Sequence, residues 1–374
     1  MRKSGAIGPT CGGYLTDNLG WPWIFFINVP FGLLAVFMAV LFLPPDSSYA
    51  QLKNRTVDWL GIALLAITVG SLQTVLEQGQ QDDWFASSLI RNLAIIGVSG
   101  LGLFIWRELT SKHPAVDLRV LRHRSLAAGS LYSGILGMGL YGALLTIPLF
   151  TQNVLGFTAT QTGLLLAPSA LASAVVMVLL GKLSSKLDAR LLIAVGAIGT
   201  TSVMWQLAAI TSQTGPDNLF WPLLERGSAI VLMFLPLSLA TLGPLPLKDV
   251  SAGSGFFNLS RQLGGSIGIA VLTTLLTRRQ AFHRAVLVEH VSLYNLATLQ
   301  RLNLLTGALE SRGMEPVTAH QQAIALIDRT VNGQAAVMSY ADIFLFVGVV
   351  FLASLSLLLF LGKGGAGERA SSVH

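Results

Sequence analysis

The sequence predicts an all-α polytopic membrane protein that crosses the bilayer nine times. Three observations carry that prediction. The 374 residues are 52% hydrophobic and only 11% charged, whereas soluble domains carry about 25% charged residues. Mean hydropathy is +0.65. The apolar residues gather in stretches of membrane-spanning length. This balance excludes a soluble globular enzyme, and it excludes disorder, which needs low hydrophobicity and high charge. The single cysteine, Cys11, excludes an intramolecular disulfide framework or a zinc cluster.

A hydrocarbon core of about 30 Å takes about 20 residues of helix. Such stretches lie at 24–43, 58–77, 89–106, 126–151, 161–181, 191–211, 220–243, 252–277 and 340–361. The eighth is the weakest, because Ser254, Asn258, Ser260 and Arg261 interrupt it. Turn formers separate the stretches: Pro44-Pro45, Gly79, Gly156, Gly215-Pro216 and Gly243-Pro244. Met1-Arg2-Lys3 runs into Gly5-Ala6-Ile7-Gly8-Pro9 without the pattern of a secretory signal.

Charge placement gives an orientation. Lys53 and Arg55, then Arg107, Lys112, Arg119, Arg122 and Arg124, then Lys182, Lys186 and Arg190, then Lys248, then Lys363 and Arg369 fall in alternate connections. The intervening short connections, 14–23, 78–91, 152–160 and 212–219, hold only Arg91. Cytoplasmic loops carry the Lys/Arg excess, so the C-terminus is expected inside the cell. The net charge of +6 is spread over several loops, which argues against a nucleic-acid partner. Alternation requires 252–277 to span and places 278–339 outside. Long loops escape the charge rule, so the six arginines of that segment do not contradict this. It has amphipathic helical stretches at Leu287, Val291, Leu296 and Leu299, and at Ala323, Ile324, Ile327 and Val331. Two readings fit it: a cap packed on the outer ends of the bundle, or a docking surface for a periplasmic partner.

No catalytic motif is present, so no enzyme is expected. The six histidines, His113, His123, His283, His290, His320 and His374, fall in loops or tails, where solvation is the default. Gly134, Gly137, Gly139 and Gly142, and Gly264, Gly265 and Gly268, let helices approach closely. Pro148, Pro168 and Pro236 lie within spans and free backbone groups. Charges at membrane depth are costly and functional by default. Arg261 either lines a cavity, paired with substrate or a carboxylate, or snorkels to the headgroups. Glu225 and Arg226 either pair with each other, reach water or couple charge. Glu77 closes its span as an interfacial carboxylate or a coupling group. Asp342 opens the last span, where solvation is expected. Gln73, Gln152 and Asn258 either line a wet path or join helices.

Several motifs resemble one family. Gly8-Pro9-Thr10-Cys11-Gly12-Gly13 is similar to the GPxxGG end of the antiporter motif of the major facilitator superfamily. Trp21-Pro22-Trp23-Ile24-Phe25-Phe26-Ile27-Asn28-Val29-Pro30-Phe31-Gly32 resembles the WRWIFxINVPxG stretch of its 14-helix drug:proton antiporters (DHA2, EmrB/QacA type), with Pro22 in place of Arg. Further similarities are Val57-Asp58-Trp59-Leu60-Gly61; Leu76-Glu77-Gln78-Gly79-Gln80 with Asp83-Trp84-Phe85; Pro148, Gln152, Gly156, Gly163 and Pro168; and Asn258 to Gly268. Gly181-Lys182-Leu183 with Lys186-Leu187-Asp188, and the long outer segment, are most similar to the EmrB branch. Ser185 stands where many relatives carry Asp.

The resemblance implies a major facilitator superfamily fold and a division of the chain. Residues 1–43 correspond to a remnant of the N-terminal half, the end of family helix 5 and helix 6. Residues 44–125 hold two linker helices and cytoplasmic loops. Residues 126–361 form the C-terminal six-helix bundle with an extracytoplasmic loop at 278–339, and 362–374 a cytoplasmic tail. It implies export of amphipathic drugs from the bacterial inner membrane, driven by the proton gradient without a cofactor, with a periplasmic adaptor and an outer-membrane channel as partners. The family's membrane acid in helix 1 and arginine motif in helix 4 have no counterpart here. Alternating access needs two halves, so the expectation is an N-terminally truncated product that does not transport alone. The alternative is a non-transporting remnant or interaction protein that uses 278–339.

Overall fold

The computed structural model describes residues 8–42, 58–111, 116, 118–183, 187–292 and 294–361. Lys53, Arg55, Val57, Lys112, His113, Ser185, Lys186, Lys363, Arg369, His374 and the segment before Gly8 lie outside the described residues, as does the 362–374 tail. Among the described residues all regular structure is helical, and nine helical stretches are long and apolar enough to cross a membrane. They match the nine predicted stretches in order.

The chain opens with α1 (Gly8–Leu19), α2 (Trp23–Phe26) and α3 (Asn28–Phe42). The first predicted span is broken at Ile27. Pro30 explains the break: it has no N–H to give the Phe26 carbonyl, and its ring clashes there. No residue of α3 is buried.

The next two helices form a hairpin, α4 (Trp59–Gln78) and α5 (Ser88–Thr110). Asp58 caps α4 by accepting from the Gly61 amide at 3.0 Å. The same carboxylate takes both Arg107 Nε and Nη2 of α5 at 3.2 Å, a bidentate clasp across the open ends of the hairpin. At the closed end Trp84 lies over Gly79, where a side chain would meet its ring at 2.7 Å. Gly100 and Gly97 let α5 touch Thr68 and Leu72 of α4.

The bundle proper comprises α6 (Arg124–Asn153), α7 (Ala159–Leu183), α8 (Ala189–Ala208), α9 (Pro216–Leu242), α10 (Leu247–Glu289) and α12 (Pro316–Ser354), with α11 (Leu296–Glu310) outside it. Gly156, at φ +71, turns the chain between α6 and α7 in the left-handed conformation that favours glycine. Thr158 and Gln161 then exchange side-chain to backbone hydrogen bonds at 2.9 and 3.2 Å, a capping box that starts α7.

Lipid tails give helices no hydrophobic reason to associate, so small residues and close packing decide the contacts. The glycines of α6 and α10 do this work. A methyl group on Gly137 would overlap the Arg261 carbonyl, and one on Gly264 would overlap Gly134. The Ser133 hydroxyl donates to the Phe257 carbonyl at 2.9 Å in the same seam. Elsewhere Gly196 and Gly227 bring α8 and α7 against α9. Phe150 meets Tyr340 and Phe344 edge-on at 5.3 and 6.4 Å, which joins α6 to α12.

The segment 278–339 departs from its description as a loop. The eighth predicted span continues unbroken to Glu289, and the ninth begins at Pro316, so α10 runs 43 residues and α12 39. Asn295 caps α11 by accepting from the Ala297 amide at 3.0 Å. Two further expectations need correction. His283 is not in a solvated loop: it lies on α10 and bonds Asp342 of α12 at 2.8 Å. Asp342 is not merely solvated: it also pairs with Arg279 at 3.4 Å. The two helices converge there, which a linear pattern does not encode.

Candidate functional site

One polar line interrupts the apolar surface of α10. Ser254, Asn258, Gln262 and Ser266 recur every four residues, and that spacing puts them on one helical face. Asn258 donates to the Ser254 carbonyl at 3.0 Å. Its own carbonyl oxygen accepts from Arg261 Nη2 at 3.1 Å. Tyr141 of α6 donates to Gln262 at 3.1 Å.

At the end of this line Ser266 donates to Glu77 of the hairpin at 3.2 Å. Gln73 donates to the same carboxylate oxygen at 3.0 Å. The predicted residues fall into two hydrogen-bonded groups along an α10 seam, Gln73 and Glu77 with Ser266 where α4 meets α10, and Asn258 with Arg261 nearer the start of α10. Gln262, Ser266 and Tyr141 complete it. The signal for Gln262 and Ser266 was the i, i+4 spacing of polar residues within an apolar stretch, whereas Tyr141 carried none.

Arg261 is half-buried. Its guanidinium sits 5.2 Å from the centre of the Phe234 ring on α9, a cation–π contact worth about 0.5–2 kcal/mol according to its desolvation. Its Nε is buried without a hydrogen-bond partner. The charge is thus held by an aromatic face and one amide, and no carboxylate pairs with it among the described residues.

The other predicted residues are dispersed. Gln152 is exposed at the end of α6. Glu225 accepts from Gln206 of α8 at 2.8 Å. Arg226 is only 5% exposed, and its Nε has no partner. No ion pair joins Glu225 to Arg226 among the described residues, since successive helical residues point to different sides.

The antiporter-motif residues Gly8, Pro9, Gly12 and Gly13 lie on α1, which packs on the start of α7. Gly12 is half-buried and Gly8 exposed. Gly13 is the close contact, because a side chain there would overlap the Ala159 carbonyl. Thr10 donates to the Gly163 carbonyl at 3.3 Å. Asp17, at the other end of α1, accepts from the Thr160 hydroxyl at 2.6 Å and the Thr160 amide at 2.7 Å. The Thr160 hydroxyl first, and then its amide, hold the Asp17 carboxyl below its ordinary 3.8. A carboxylate at the first turn of α7 also suits the helix dipole.

A bundle of nine apolar helices of membrane-spanning length among the described residues, with polar side chains bonded between them, is the build of a transporter. A profile of the Major Facilitator Superfamily matches residues 4–269, and the chain belongs to that superfamily, with the EmrB-type antiporters. It is 35% identical over 369 residues to the multidrug export protein EmrB of Escherichia coli K12, covering 97% of this chain and 70% of that protein. It is 30% identical over 367 residues to the fatty acid resistance protein FarB of Neisseria gonorrhoeae, again covering 97% and 70%. It is 28% identical over 362 residues to the colistin resistance protein EmrB of Acinetobacter baumannii, covering 96% and 69%.

Proposed function

We propose that this chain serves proton-driven export of amphipathic toxic compounds from the bacterial inner membrane. The observation that carries the reading is the α4–α10 seam, taken with the relatives named for multidrug export. Asn258 and Arg261 offer a substrate one amide and a cation backed by an aromatic ring. Glu77, the carboxylate of the same seam that accepts from Ser266 and Gln73, is the candidate charge-coupling group. Gln152, Glu225 and Arg226 are further candidates for contact or charge coupling. The Gly8–Gly13 motif holds α1 on α7.

The Lys/Arg asymmetry supports a cytoplasmic C-terminus and a cap, formed by α11 and the ends of α10 and α12, outside the cell. α6 to α10 and α12 correspond to one half of the family's two-half transporter, α4 and α5 to its linker helices, and α1 to α3 to the end of the other half. Amphipathic compounds, protons and the bilayer are the partners. The exposed Tyr294, Leu296 and Leu304 beside or on α11 support a second reading, in which the cap presents a surface to a periplasmic adaptor that leads to an outer-membrane channel.

Energy-dependent dye efflux from cells that express the gene from its own locus, flanking sequence included, tests the first reading. Verified membrane protein without efflux would overturn it. A cap that crosslinks to no adaptor would remove the second. Reporter fusions at His374 test the orientation.

A further inference from the structure

The cap contains a hollow of about 690 Å³ between the end of α10, α11 and α12. Ligand pockets commonly fall in the range of about 300–1,000 Å³. Its floor is apolar: Val291, Leu305, Leu326, Ile327 and Val331. Val331 is buried, and Leu305 and Ile327 are half-buried.

Two arginines from different helices face this hollow, Arg301 of α11 and Arg329 of α12. Among the described residues neither has a hydrogen bond or an ion pair. This is unlike their neighbour Arg284, which binds Asp328 at 2.8 Å and Asn332 at 2.8 Å. Asp328, the carboxylate next to Arg329 in sequence, is thereby engaged elsewhere. No carboxylate lines the hollow among the described residues, and the imidazole of His290 completes its polar lining beside the two arginines.

We propose that the hollow binds an amphipathic organic anion, its carboxylate or sulfonate on Arg301 and Arg329 and its hydrocarbon on the Leu305–Leu326–Ile327 floor. Two like charges at the rim of an apolar hollow are satisfied together by one anion. Charge-assisted bonds to a guanidinium fork are about twice as strong as neutral ones. A neutral amphiphile leaves both arginines unpaired, and a cationic one adds a third like charge.

An anionic phospholipid shares this chemistry. However, α10 is continuous from Thr277, the end of its apolar stretch, to Glu289, which lifts the hollow about 20 Å beyond that stretch at 1.5 Å per residue. The ligand is therefore a dissolved one. The proposal rests on the export reading only for the side of the membrane it faces. The binding itself is read on purified protein without transport, so failure of efflux and failure of binding are separate results.

The experiment is calorimetric titration of the full chain in phosphatidylcholine nanodiscs with octanoate, octanol, octylammonium and acetate. Octanoate is expected to bind one saturable site per chain, with the other three at least roughly tenfold weaker. Arg301→Gln and Arg329→Gln are each expected to weaken octanoate by about tenfold. Leu326→Gln is expected to weaken it too, while Arg312→Gln, on the cap but outside the hollow, leaves it unchanged. Exchange of phosphatidylcholine for phosphatidylglycerol is expected to leave the affinity as it was. Equal binding of octanol or acetate, unchanged affinity in both arginine variants with native circular dichroism, or competition by phosphatidylglycerol would overturn the proposal.

Discussion

Gly137→Ala is the sharpest test of how this bundle holds together. The added methyl points at the backbone carbonyl of Arg261, which cannot swing aside as a flexible side chain does. Overpacking of this kind costs about 1–3 kcal/mol, and a backbone neighbour puts this site toward the upper end. Alanine is intrinsically better than glycine in a helix by about 1 kcal/mol, which offsets part of that. The net expectation is a loss of about 1–2 kcal/mol. Gly255→Ala on α10 is the matched control, since nothing lies within 4 Å of a side chain built there. Its stability is expected to stay level or rise by up to about 1 kcal/mol. Equilibrium unfolding of the purified chain in mixed micelles, with SDS as denaturant, reads both. Gly137→Ala should lower the midpoint and Gly255→Ala should not. If Gly137→Ala matched Gly255→Ala, the claim that backbone contact joins α6 to α10 would be wrong.

Three other tests address the seam and the clasps. Arg261→Ala should lower dye efflux from cells expressing the gene at its own locus, and unchanged efflux with normal membrane levels would assign Arg261 to the headgroups. Asp58→Ala removes a helix cap together with the Arg107 pair, so hydrogen exchange should rise in the first turn of α4 and the last of α5; exchange confined to α4 would contradict the clasp. The third concerns pH. The folded carboxyl of Asp17 titrates below 3.8, so the folded chain binds fewer protons than the unfolded one in that window. The contribution is fully present above 3.8 and lost as pH falls through the lowered value. The stability gap between wild type and Asp17→Asn should therefore be constant near neutrality and close in acid, and a gap that widened as the pH fell would refute the assignment.

The existence of the nine spans was legible because lipid demands a long apolar run. Their ends were less so. The outer parts of α10 and α12 are polar, so hydropathy does not mark them. Yet no glycine or proline occurs between Gly268 and Gly307, and the absence of breakers was the available sign that α10 continues. The turn before α12 was readable from Gly313, at φ +88, and Pro316. Asn258 and Arg261 were visible as polar residues in an apolar run. The bond between Ser266 and Glu77 was not, because the two are 189 positions apart and meet only when the hairpin docks. The Asp58–Arg107 clasp and the His283–Asp342 pair were hidden for the same reason: each depends on which helices become neighbours.

The uninterrupted length of α10 has a mechanical consequence. At 1.5 Å per residue its 43 residues make a rod of about 65 Å. A swing of only about 5° at Arg261 displaces the Glu289 tip by about 4 Å over the roughly 42 Å between them. Small adjustments around Arg261 are thereby magnified at Glu289, and whatever docks on that far tip holds a long handle on the membrane-embedded portion.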